Sequence, residues 1–132
     1  MWEYIGMGFK VVGAAIAALF TYLFGTWDVL LGVLCAVVVI DYITGVVGAI
    51  AQGTLSSAVG FKGIAKKVAI FAVIAVGHLI SITANTPEIR SLVIGFYIAN
   101  EAISILENCG TMGLPLPEKL KQILEQLKNK GE

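Results

Sequence analysis

Asp41, His78, Asn100 and Glu101 stand inside long apolar runs, where polar side chains are rare and mark an ion or proton path, a helix contact or a paired charge. Asp41 lies within VLLGVLCAVVVIDYITGVVGAIA. A charge at the centre of a membrane helix costs roughly 3 kcal/mol on insertion scales, so this acid should be protonated, paired, or turned toward protein or water. Thr44, Gly45 and Gly48 follow it at helical spacing and give one side of the segment a small, polar character. Gly45 with Ala49 would let another helix approach closely. A second polar stripe joins Tyr97, Glu101, Ser104 and Asn108, with Asn100 adjacent, while Gly77, Ser81 and Asn85 line up beside His78. The candidates for pore lining or helix contact are therefore Asp41, Thr44, Gly45, Gly48, His78, Asn100, Glu101, Ser104 and Asn108.

Each has a plainer reading. Asp41 could serve only as a hydrogen-bonding residue within a helix bundle, and His78, with no second histidine, reads more simply as a packed or interfacial side chain than as a proton relay. Pairs such as Gly13 with Ala17 and Ala14 with Ala18 fit tight helix packing but are common in membrane helices. Catalysis finds less support. The chain has no Gly-x-Ser-x-Gly, no His-Glu-x-x-His and no phosphate-binding glycine loop, and Cys35 and Cys109 lack metal-ligand spacing. No catalytic residue, metal or cofactor is expected.

These residues need elements to hold them, and the composition says which. Of 132 residues 58% are apolar and 14% charged, with a mean hydropathy of +0.89, which places the chain in a bilayer. The expected class is all-α and integral to the membrane: about four short spans, with three as the alternative, plus a C-terminal amphipathic helix. With about 20 residues per span, four spans consume most of the length. They are expected near 11–27, 29–51, 68–86 and 91–107, within a transmembrane domain of 1–110. Residues 52–67, rich in Gly and Ser and ending in Lys62, Lys66 and Lys67, read as a basic loop at the membrane surface.

Residues 111–132 form a basic tail in which Pro117 opens a helix. Leu120, Ile123, Leu124 and Leu127 recur at helical spacing, with Lys119 and Lys121 among the positions between them. Four spans put Lys10, the basic loop and the tail on one side, which the positive-inside rule makes cytoplasmic, with both termini there. No cleavable signal peptide is expected, and Met7 offers a second start. Nine basic and nine acidic residues cancel, so nucleic acid is not an expected partner. The expected partners are the lipid bilayer and further copies of the chain.

The stretch DYITGVVGAIAQGTLSSAVGFKGIAKKVAIF, from Asp41 to Phe71, resembles the toxin-secretion and phage-lysis holins of the bacteriophage holin family 4 type. It carries an Asp with a Gly four residues on, a Ser pair, a Gly-rich turn and a Lys pair leading into a span. The stretch NEAISILENCGTMGLPLPEKLK, from Asn100 to Lys121, is similar to the same family in its Glu-x-x-Ser-Ile-x-Glu-Asn element, Gly-x-Pro-x-Pro turn and basic tail. The matching positions are Asp41, Gly45, Ser56, Ser57, Gly63, Lys66, Lys67, Glu101, Ser104, Glu107 and Asn108.

The resemblance implies a protein of the bacterial inner membrane that oligomerises and opens timed lesions, releasing an endolysin or a large toxin as cargo. The residues alone also admit a small ion or proton channel, or a pinhole-forming protein, using Asp41 and Glu101.

Overall fold

The computed structural model describes residues 1–130, the side chains at 124 and 127–130 excepted. The end of the expected tail, Gly131 and Glu132, and the apolar positions Leu124 and Leu127 therefore lie outside what is described. Five helices follow one another: α1 Trp2–Phe24, α2 Val29–Ala51, α3 Ser57–Thr83, α4 Glu88–Thr111 and α5 Glu118–Lys130. Among the described residues there is no strand, so the all-α expectation holds. The first four are long and apolar enough to cross a membrane. At about 1.5 Å per residue even the 23-residue α1 and α2 reach about 35 Å, against about 30 Å of hydrocarbon.

α2 has the ends expected of the second span, whereas those of the other three long helices differ, each for a local reason. α1 starts well before residue 11, because Glu3 and Lys10 do not stop a helix, and it ends at Gly25, whose φ of +81° favours a residue without a Cβ. The expected loop 52–67 is corrected to a short turn. Ser56 caps α3, its Oγ accepting from the Val59 N–H at 3.1 Å, so Lys62, Lys66 and Lys67 are helical. The third helix accordingly begins eleven residues before the expected 68 and closes at Thr83, where Asn85 takes a φ of 51°. α4 is longer than 91–107 at both ends, following directly on Pro87, whose fixed φ suits a helix entry. Pro117 likewise immediately precedes α5.

One stripe of each central helix turns inward. Leu31, Leu34, Val38 and Asp41 on α2, Ile70, Ile74, Gly77 and Ser81 on α3, and Ile94 and Glu101 on α4 are buried, each set at helical spacing. The outward faces carry Val39, Ile43, Val47, Val73, Val76 and Phe96 in full view, as a lipid-facing surface requires. α4 is the hub, packing mainly against α2 and next against α3. On α3, Gly77 permits that approach: a Cβ there would sit 3.0 Å from a Val93 methyl. α1 buries no residue and leans on α3 near its end, where Phe24 meets Phe71 edge to face at 6.0 Å between centroids.

Candidate functional site: a charge triad shared by three helices

Helices α2, α3 and α4 alternate in direction because short turns join them, so the ends at Ala51, Ser57 and Thr111 lie at one end of the bundle. Asp41, Lys67 and Glu101 each stand ten residues from that end, about 15 Å along their helices. Equal depth lets the three side chains meet. Lys67 Nζ donates to Asp41 Oδ2 and to Glu101 Oε2, joining all three helices through one ammonium. Glu101 is 0% exposed, Asp41 7%, and the Lys67 side chain 13%.

Asn108, two turns beyond Glu101 on α4, completes the α2–α4 side. Its Nδ2 donates to Asp41 Oδ1 at 3.0 Å, to the Asp41 carbonyl at 3.2 Å and to Thr44 Oγ1 at 3.0 Å. Thr44 in turn donates to the carbonyl of Ile40 at 2.9 Å. Gly45 lies under the Asn108 amide and Gly48 against Met112 and Thr111, so both glycines face α4. Beside the triad a cavity of about 190 Å³ opens between α2 and α3, with Tyr42, Gly60, Gly63 and Lys66 in its wall and Ser104 and Asn108 behind.

The structure thus gathers Asp41, Thr44, Gly45, Gly48, Glu101, Ser104 and Asn108, and it leaves two candidates out. Asn100 is exposed on α4 and joins none of these contacts. His78 lies eleven residues beyond Lys67 on α3, about 16 Å along the helix and near the opposite end of the bundle. There its Nδ1 is buried without a hydrogen-bond partner, beside Gly25 and Arg90. Lys62 and Lys66 are exposed on the first turns of α3, and Lys119 and Lys121 are exposed on α5. Lys67 is the correction: assigned to the membrane surface with its neighbours, it turns inward, because a helix starting at Ser57 aims it at the two acids.

A knot that no sequence expectation covers closes the other end of the bundle. Arg90 donates from Nη1 to Asp28 Oδ2 at 2.8 Å, from Nε to the Phe24 carbonyl at 2.8 Å and from Nη2 to the Thr26 carbonyl at 3.1 Å. It fastens the α1–α2 turn to α4. Asp28 also caps α2, accepting from the Leu31 N–H at 2.9 Å, and the Arg90 guanidinium beside it, helped by that N–H, holds its carboxyl below the usual range. Arg90 and Asp28 bracket separate runs in the sequence, and their opposite charges near two helix starts at one end were the available signal.

No nucleophile with a base stands in this arrangement, and among the described residues no group of His, Cys, Asp and Glu could hold a metal ion. What the arrangement does chemically is fix three helices through buried opposite charges.

Residues 18–129 match the bacteriophage holin family, which is not an enzyme family. The chain is 44% identical over 130 residues to an uncharacterized protein of the nagH 3′ region in Clostridium perfringens, covering 97% of this chain and 96% of that relative. It is 44% identical over 125 residues to an uncharacterized protein of Halalkalibacterium halodurans, covering 90% and 93% of the two chains. With an uncharacterized protein of Listeria monocytogenes the identity is 49% over 108 residues, covering 81% and 77%. No solved structure matches the chain. With nearly the whole length matched and four apolar helices to cross the bilayer, the chain is a multi-pass membrane protein and belongs to the bacteriophage holin family.

Proposed function

We propose that this protein oligomerises in the bacterial inner membrane and opens timed lesions that release an endolysin, or in another setting a large toxin, with both termini in the cytoplasm. The observation that carries the reading is the family match over residues 18–129 on a chain whose outer surface is apolar along four helices. A single copy has its centre filled by Leu31, Leu34, Ile74 and Ile94, so a passage wide enough for a folded protein needs many copies. α1, none of whose residues is fully buried against its own chain, offers the largest free helix surface for such contacts. The orientation follows from Lys62, Lys66, Lys119 and Lys121, which lie toward the end of the bundle where α2 meets α3 and where α4 leads into the tail.

The test is reconstitution of the full chain into vesicles loaded with a small dye and with a dextran of globular-protein size. Escape of the dextran above a threshold protein-to-lipid ratio supports large lesions. Escape of the dye alone would favour a narrow ion path or pinhole, and retention of both would overturn lesion formation altogether.

A further inference from the structure

Two carboxylates and one ammonium do not balance. In the triad, Lys67 neutralises one acid, and the second would leave a net negative charge where Glu101 is wholly buried and Asp41 nearly so, in helices whose outer faces are apolar. Buried ionisable groups without a counter-charge give up their charge rather than hold it in such surroundings. The oxygens show where the balance is restored. Asp41 Oδ2 accepts from Lys67, Asp41 Oδ1 accepts from Asn108, and Glu101 Oε2 accepts from Lys67. Glu101 Oε1 alone is buried with no partner. An ionised carboxylate oxygen in that position is the costliest arrangement, and a protonated one removes the charge at its source.

We propose that the triad is a binding site for one proton, held on Glu101 Oε1 while the three helices are packed together. A solvent proton adds to the carboxylate oxygen, forming one O–H bond, and no other bond changes. Asp41 stays ionised, supported by Lys67 and Asn108. The charged and titratable groups that face the site are Asp41 from α2, Lys67 from α3 and Glu101 from α4, with Tyr42 and Lys66 in the wall of the adjoining cavity. That cavity, which reaches Asp41 and Lys67 from outside the bundle, gives the proton its way in and out. The inference stands apart from lesion formation, because it concerns the packed subunit alone.

Infrared spectroscopy of the full chain in an ester-free detergent at neutral pH tests it. The expected result is a carboxylic-acid C=O band equivalent to one group per chain, shifted in heavy water. Glu101→Gln should abolish that band, and so should Asp41→Asn, which leaves Glu101 ionised against Lys67 in a balanced pair. Both substitutions keep the side-chain shape and an amide in place of the acid, and retained helical circular dichroism establishes that each variant is folded. Absence of the band in the unmodified chain would overturn the proposal, as would its survival in Asp41→Asn, which would show that charge balance does not set the proton count.

Discussion

Lys67 on α3 donates to Glu101 on α4, a side chain with no exposed surface, while holding Asp41 on α2 with the same ammonium. Removing the cation is therefore different in kind from removing either acid. Lys67→Met leaves the Asp41 carboxylate buried without its cation and should cost about 3–5 kcal/mol of bundle stability, the range for breaking a buried ion pair from one side. Asp41→Asn and Glu101→Gln each leave Lys67 with one carboxylate and should cost distinctly less. Thermal unfolding in detergent, followed by circular dichroism, ranks the three, and equal losses would show that Lys67 is not the keystone.

That keystone was the least legible part of the sequence. Asp41 and Glu101 stood out because an acid in an apolar run is conspicuous, and the spacing of Thr44, Gly45 and Gly48 after Asp41 placed them on one face, which in the structure faces α4. Lys67 was hidden by its company. It follows Lys62 and Lys66 in a Gly- and Ser-rich stretch, a composition that suits a loop. Only the Ser56 cap, which starts α3 early, brings Lys67 to the depth of the two acids. The number and order of apolar helices were readable from hydropathy, whereas the pairing of Arg90 with Asp28 depended on which helix ends come together in three dimensions.

In cells, Asp41→Leu should change the time at which lysis begins more than the amount of protein in the membrane. The substitution removes the side-chain ties to Lys67 and to the Asn108 amide, and with them the charged link between α2 and α3, while Asn108 keeps its bonds to the residue 41 carbonyl and to Thr44. Lysis curves read beside membrane-fraction immunoblots make the comparison. Proportional changes in both would reduce Asp41 to a residue needed only for folding.

Close packing of α3 on α4 predicts a paired effect at Gly77 and Val93. A methyl group at Gly77 would press on Val93 at 3.0 Å, so Gly77→Ala should destabilise the bundle by about 1–3 kcal/mol, the usual cost of overpacking. Val93→Ala in the same chain should recover much of that loss by vacating the space. Thermal unfolding of the two single variants and the double variant checks it, and simple additivity would contradict the contact.

The Arg90 knot carries a pH signature. Because Arg90 and the Leu31 N–H hold the Asp28 carboxyl below its ordinary value of 3.8, the contribution of this contact is complete above that value. It is lost as the pH falls below 3.8 through the lower folded value. The difference in melting temperature between the unmodified chain and Asp28→Asn should accordingly be constant at neutral pH and shrink in the acid range. A difference that grows on acidification would have the wrong sign.

Whether the protein makes holes large enough for another protein is decided most directly in living bacteria. Cells expressing the chain are followed in time for membrane potential and for release of a cytoplasmic enzyme of ordinary globular size, in a strain whose wall is degraded by an endolysin present in the cytoplasm. The account predicts a silent period, then abrupt loss of potential together with escape of the enzyme. Loss of potential with the enzyme retained would contradict it and assign the protein to the conduction of small ions.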